Sequence, residues 1–337
     1  MRKFIDKEGK FIITLPEDWF HKNKLYETKD GEADSFEFIT EPVGTFQLTL
    51  TSTEKGRIPD IIKKHNLKSQ EYGKNNLQIV EEFFPCEKFD MHLWFIVVDN
   101  LFLLAKYIYS SSDRGKEFII HEITKARKAL DTLIFVETEY QEAVLASFQF
   151  DKFMFSHVTS RELTDKAYKN NNPIELVILL ANQIDAALRL CLILHEQIET
   201  ESEYIDIKLI CQKDDDKAIM EKAIYKLALD KGIIDESLNE ELYKLYNQRN
   251  KVVHRYIISE ITTKEVMKIS IDYSLMEKKI GEIVKGFEKK QFEKKVGIYG
   301  HEPADTPITE EQRKLIQNAI NEKHSHYCFI ELPEKDK

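Results

Sequence analysis

Residues 237–256 read SLNEELYKLYNQRNKVVHRY, and the spacing of their apolar side chains predicts an amphipathic helix. Ser237 and Glu240 have the spacing of a capping box, which places the start of this helix near Ser237. The apolar stripe recurs at three- and four-residue steps: Leu238, Leu242, Leu245, Val252 and Val253. Arg249 occupies a position on that stripe where an apolar residue is due. Because a guanidinium keeps its charge, Arg249 must face an anion, a carboxylate or water.

A second row of side chains runs beside the stripe and consists of Tyr243, Asn247, Asn250 and His254. Asn250 and His254 lie one turn apart and can face the same point. One helix therefore offers a permanent cation, a titratable imidazole and carboxamides. A guanidinium binds two phosphate oxygens at once, and an imidazole with a pKa of about 6.5 can transfer protons.

The arrangement Arg249-Asn250-x3-His254 near a helix end resembles the signature of HEPN domains, which are small helical bundles of prokaryotic defence systems, toxins and RNA-processing factors. The segment 231–235 resembles the usual lead-in of that family, and the resemblance covers roughly residues 140–295. It implies a metal-independent endoribonuclease whose homodimer lines one cleft with two motifs. Arg249 would stabilise the phosphoryl oxygens, His254 would transfer protons, and Asn250 would hold the imidazole or a phosphate oxygen.

The family also places an acidic group on an earlier helix, and Asp185 is the residue that we expect in that role. A pair with Arg189 at i,i+4 spacing is an equal alternative for Asp185. On a straight helix Arg249 and His254 point roughly 140° apart, at about 100° per residue. They can converge only if the helix bends or ends near His254, or if a partner chain contributes one of them.

The alternative for the whole motif is structural. Arg249 would pair with a carboxylate of the bundle, and His254 would cap the helix end, where a positive charge is favoured. The helical half would then be a non-catalytic dimerisation or interaction module. RNA is the expected substrate in the first case, and no cofactor or metal is expected at the motif in either case.

Residues 1–137 predict a separate α+β domain. Strands are expected at 11–15, 36–39, 45–51, 77–84, 92–98 and 101–109, and helices at 58–66 and 113–133. The order of these elements and the segment Leu15-Pro16-Glu17-Asp18-Trp19 resemble the PsbP-like fold, a curved antiparallel sheet with packed helices. That resemblance implies a binding or sensing module for an unknown ligand or protein.

Residues 138–296 are predicted to form the HEPN-like helical bundle. Asn172 as N-cap and Pro173 at the first position start one helix, and Thr262 and Glu265 open the last long one. Further helices are expected at 138–150 and 216–230. Apolar residues cover most of the girth of the helix that starts at Pro173, which predicts burial on several sides and a partner subunit.

Residues 297–337 are predicted to be a C-terminal extension with a short helix at 309–323. His324, His326 and Cys328 follow at alternate positions. A zinc site is conceivable there, because alternate strand positions point the same way, and a plain terminal strand is the alternative.

The chain of 337 residues carries a formal net charge of −10, so no basic footprint for nucleic acid is present. Lysines between 278 and 295 could steer RNA, but interleaved glutamates favour a solvated helix face. No signal segment is recognised at the N-terminus, and polar residues break the longest apolar run, Ile174–Leu194. The four cysteines lack ligand or disulfide spacing. These features predict a cytoplasmic protein without membrane contact.

Overall fold

The computed structural model describes residues 2–21, 34–37, 43–73, 76–212, 217, 219–301, 309, 310, 312–314 and 316. The chain divides into two compact units, Met1–Leu145 and Ala146–Lys337. The first unit carries the sheets and the second is mostly helical, as the sequence predicts at this level. The specific PsbP-like and HEPN-like folds stay predictions, as do the domain boundaries at 137/138 and 296/297.

Two antiparallel sheets form within the described part of the first unit. The smaller has the order β1-β2-β9, and the larger has the order β3-β4-β5-β8-β7-β6. The strands are β1 (Arg2–Ile5), β2 (Phe11–Leu15), β3 (Phe20–His21), β4 (Asp34–Glu37), β5 (Thr45–Ser52), β6 (Val80–Pro85), β7 (Phe89–Val98), β8 (Leu101–Ser110) and β9 (Ile134–Phe135).

The alternation of apolar and other side chains that predicts β2 matches the alternating burial of its side chains. Phe11, Ile13 and Leu15 are buried, and the intervening side chains are half-buried. Helices α1 (Ile58–Lys64) and α2 (Glu117–Leu130) complete the unit. The buried Glu122 of α2 accepts a hydrogen bond of 2.7 Å from Trp19 Nε1. Trp19 therefore lies in the core with its polar atom satisfied.

The second unit is a bundle of helices. They are α3 (Gln141–Lys169), α4 (Pro173–Thr200), α5 (Ile207–Ile210), α6 (Glu221–Asp230), α7 (Glu236–Arg255) and α8 (Thr263–Lys294). Helix α4 contacts α5, α6, α7 and α8. Its buried side chains therefore lie against helices of the same chain. The partner subunit that the apolar girth of α4 predicts stays a prediction.

Side-chain caps fix the ends of these helices. Asn172 Oδ1 accepts from Glu175 N at 3.4 Å, and the Thr262–Glu265 capping box forms as expected. The capping box predicted at Ser237 and Glu240 does not start α7. Asp235 is the N-cap, and its carboxylate accepts from Leu238 N at 2.8 Å. The helix begins earlier than predicted because the Asp235 carboxylate, rather than the Ser237 hydroxyl, caps it.

Among the described residues, α4 is long and apolar enough to cross a membrane by length and composition, and 61% of its most apolar window is buried inside the protein. Packing within the bundle accounts for that composition. The predicted cytoplasmic location stays a prediction.

The end of α8 folds back onto the bundle. Gln291 Nε2 donates to Gln197 Oε1 at 2.9 Å, and Tyr299 N donates to Gln291 Oε1 at 3.1 Å. Of the helix predicted at 309–323, residues 310, 312–314 and 316 are described and helical. His324, His326 and Cys328 lie outside the described residues. Within the described ranges no group of three or more His, Cys, Asp or Glu side chains could hold a metal ion.

Candidate functional site

Helix α7 carries Arg249 into a largely buried position. The guanidinium forms an ion pair with the carboxylate of Glu221 on α6, and both side chains are shielded from solvent. Glu221 therefore supplies the carboxylate that Arg249 requires because of its place on the apolar stripe. The face of Tyr246 also contacts the guanidinium, whose carbon lies 4.9 Å from the ring centre.

Glu221 is the centre of a buried polar cluster. Tyr225 donates its hydroxyl hydrogen to the Glu221 carboxylate from one turn along α6. Burial raises the pKa of Glu221, and the negative Asp185 raises it further, against the opposing effects of Tyr225 and Arg249.

Asp185 lies in this cluster, and it also forms the i,i+4 pair with Arg189 that is the alternative to its catalytic role. Its Oδ2 accepts from Arg189 Nε at 2.7 Å. Arg189 in turn donates to the carbonyl oxygens of Leu209 and Ile219, at 2.8 Å each. Asp185 therefore positions Arg189, which in turn holds the backbone at Leu209 and at Ile219, before α6. Two atoms, Asp185 Oδ1 and Arg249 Nε, are buried without a hydrogen bond among the described residues.

His254 and Asn250 lie in different surroundings from Arg249. His254 is exposed and Asn250 is half-buried. Within the described ranges the His254 side chain makes no hydrogen bond or ion pair. Helix α7 continues past His254 to Arg255, so the helix geometry keeps Arg249 and His254 roughly 140° apart. One chain by itself does not bring the predicted catalytic pair together.

Sequence spacing alone does not identify Glu221 as the partner of Arg249. Glu221 and Tyr225 stand at i,i+4 spacing, which signals a shared helix face but not the helix that this face meets. Lys222 is a second residue that sequence reasoning missed. Its ammonium lies 4.6 Å from the ring centre of Tyr246, so two cations contact one aromatic ring.

An exposed apolar surface extends from the end of α7 along the start of α8. Lys279 Nζ donates to Glu241 Oε2 at 2.7 Å, which joins the two helices. We call this surface the α7–α8 apolar face. It consists of Val253, Tyr256, Ile257, Ile258, Met267, Ile271 and Leu275, all exposed. His254 is the next residue in the chain after Val253.

Comparisons with known proteins leave the family of the chain open. No family model matches the sequence. No curated protein matches it either. A crystal structure of a protein from Bacteroides thetaiotaomicron VPI-5482, solved at 1.50 Å resolution, is 15% identical, with a TM-score of 0.30. That alignment covers 55% of this chain and 76% of the other.

Proposed function

We propose that the helical unit is an HEPN-like self-association module and that the α7–α8 apolar face binds a second copy of the chain. The observation that carries this proposal is the extent of the face. Ile257 is 94% exposed, and six further apolar side chains surround or continue it along α8. Exposed apolar side chains grouped on two neighbouring helices favour an interaction surface, because large exposed apolar patches are rare on monomeric proteins.

A second copy is the occupant that suits the shape of the face. Met267, Ile271 and Leu275 recur every four residues, so they form a ridge along α8 that can pack against the same ridge of another helix. A two-fold axis pairs one patch with itself and closes the assembly at two chains. The HEPN resemblance also implies a homodimer.

Two substitutions of equal chemistry test the proposal. Ile271→Asp places a charge in the face, whereas Ile120→Asp places one on α2 of the first unit. The two isoleucines are similarly exposed, at 58% and 56%. We expect light scattering to give a dimer for the wild type and for Ile120→Asp, and a monomer for Ile271→Asp. A wild type that stays monomeric at tens of micromolar would contradict the proposal.

A second function, metal-independent RNA cleavage, is favoured by the position of His254. This imidazole is exposed, has no partner among the described residues, and borders the α7–α8 apolar face. Closure of the dimer would bring it against the other chain. There it could take the proton of a 2′-hydroxyl that attacks the adjacent phosphate, or return one to the leaving oxygen.

The Arg249–Glu221 pair restricts this second function. A phosphate must compete with the Glu221 carboxylate for the guanidinium, and protonation of Glu221 would weaken that competition. Arg249 would then stabilise charge on the phosphoryl oxygens. Asn250 and Asp185 keep the supporting roles that the resemblance implies, with Asp185 acting through Arg189.

RNA cleavage is tested with purified protein and total RNA in excess EDTA. If the site forms across the dimer, His254→Ala and Ile271→Asp both lose cleavage while remaining folded. Glu221→Gln keeps cleavage or increases it, because the neutral amide competes less for Arg249. Absence of cleavage by the wild type would remove this second function and leave the self-association module unchanged.

A further inference from the structure

A cleft in the first unit lies between α2 and the strands β6, β7 and β8. Its volume is about 320 Å³, within the range of small-molecule sites. We call it the α2 cleft and define it by Phe83, His92, Tyr109, Arg114, Ile120 and Arg127, which line it. Neither the HEPN-like motif nor the α7–α8 apolar face contributes to it.

Aromatic rings form the sheet side of the α2 cleft. Phe83 on β6 is paired with His92 on β7, and the two ring centres lie 5.1 Å apart. His92 is stacked on Tyr109 of β8, with ring centres 6.1 Å apart and planes at 25°. Ile120 of α2 is largely exposed on the opposite side. The cleft therefore offers flat aromatic surfaces facing an aliphatic side chain, which suits a planar apolar group.

Two guanidinium groups provide the charge of the cleft. Arg114 donates to both oxygens of the wholly buried Asp90, at 2.6 and 2.8 Å. Arg127 donates to both oxygens of Glu81, at 2.9 and 2.6 Å. Each ion pair uses the Nε and Nη2 atoms of its arginine. The Nη1 atom of each arginine takes no part in these hydrogen bonds.

The two ion pairs hold the guanidinium groups in place at the cleft. Both arginine side chains are about half exposed, at 53% and 49%, whereas Asp90 is shielded behind Arg114. His92 Nδ1 lies 3.0 Å from Glu81 Oε1, which further fixes the carboxylate on the protein side. A carboxylate or sulfonate in the cleft would therefore meet guanidinium donors whose orientation is already set.

We infer that the α2 cleft is a binding site for a small planar aromatic acid. The aromatic part lies between the ring surface of the sheet and Ile120, and the acidic group accepts hydrogen bonds from Arg127 and Arg114. The inference concerns the first unit alone and does not rest on self-association of the helical unit.

Two fluorescent probes that differ in one group test the inference. The probes are 1-anilinonaphthalene-8-sulfonate and its neutral parent, N-phenyl-1-naphthylamine, each titrated against the full chain. We expect one saturable site for the sulfonate per chain in this cleft, with about tenfold tighter binding than the neutral probe, which is the worth of one charge-assisted hydrogen bond.

Three variants assign the binding to residues. Arg127→Gln is expected to reduce the affinity of the sulfonate towards that of the neutral probe, because Arg114 remains, and to leave the neutral probe unchanged. Ile120→Asp is expected to weaken both probes at least tenfold. Arg161→Gln is the matched control, because Arg161 is exposed and pairs with Glu277 at 3.6 Å in the other unit. It should change neither affinity.

The inference is overturned by any of three results. The first is a wild type without saturable binding of the sulfonate, and the second is an Arg127→Gln variant with an unchanged affinity ratio between the two probes. The third is binding that survives Ile120→Asp but disappears in Ile271→Asp, because the probes would then occupy the α7–α8 apolar face. Circular dichroism of each variant establishes that the fold is retained.

Discussion

At the scale of single residues, the Arg249–Glu221 pair is the most consequential contact of the helical unit. It gives a charged residue a place on an otherwise apolar stripe, and it joins α7 to α6. Removal of one partner from a buried pair costs more than the pair contributes, because the remaining charge is left uncompensated. Arg249 therefore has a structural role whether or not RNA is cleaved.

Arg249→Met is expected to lower the free energy of unfolding of the helical unit by about 3 kcal/mol. Glu221→Gln should cost less, because an amide oxygen can still accept from Tyr225. His254→Ala should change stability by less than about 0.5 kcal/mol, as for an exposed side chain. Urea denaturation at pH 7 measures all three. An Arg249→Met variant as stable as His254→Ala would contradict the structural role.

The residue scale also shows what sequence reasoning can reach. The place of Arg249 on the stripe predicts an anion, a carboxylate or water opposite it, and the family resemblance implies that Asp185 lies in the same region. The identity of Glu221 as the partner depends on how α6 packs against α7, which no local spacing encodes. Sequence analysis places Val253 on the apolar stripe, but Val253 is exposed in the structure. The stripe is wider than the surface that the bundle covers, and that width also depends on how the helices pack.

At the scale of elements, local signals predict individual helices and strands well. The bounds of β2 and the capped start of α8 follow from alternation and from one capping box. Strand β1 was not predicted, because its sequence RKFI is half polar, and its pairing with β2 provides the order that its own residues lack. The order of strands in the larger sheet depends on contacts far apart in sequence, and it fixes the α2 cleft.

The ion pair between Glu81 of β6 and Arg127 of α2 predicts how the stability of the first unit depends on pH. Burial raises the pKa of Glu81, but hydrogen bonds from Arg127 and His92 outweigh it and lower the value to about 2. A carboxyl whose pKa is lower in the folded state stabilises the protein above its unfolded pKa of about 4.5. That stabilisation is lost as the pH falls from about 4.5 towards 2.

Glu81→Gln should therefore be less stable than the wild type at pH 7, with the difference shrinking as the pH approaches 2. Denaturant unfolding of the first unit at several pH values measures this difference. Glu87→Gln is the control, because Glu87 is exposed on the adjacent turn. A difference between Glu81→Gln and the wild type that is constant over this range would show that the ion pair is not its source.

At the scale of the whole molecule, the two units carry different kinds of surface. The first has a cleft bordered by cations, despite a formal net charge of −10 for the chain. The second has an exposed apolar face and an exposed imidazole, His254, that has no partner in the part of the chain that the structure describes. The sequence predicts two parts and a helical second half, but exposure of the α7–α8 apolar face depends on which helices the chain itself covers.

Sedimentation equilibrium of the wild type beside Ile271→Asp tests self-association through this face most directly. We predict a wild-type mass of twice the 39.7 kDa chain at micromolar concentration, and a single chain mass for Ile271→Asp. A wild type with the mass of one chain, or an Ile271→Asp variant that remains dimeric, would contradict the account.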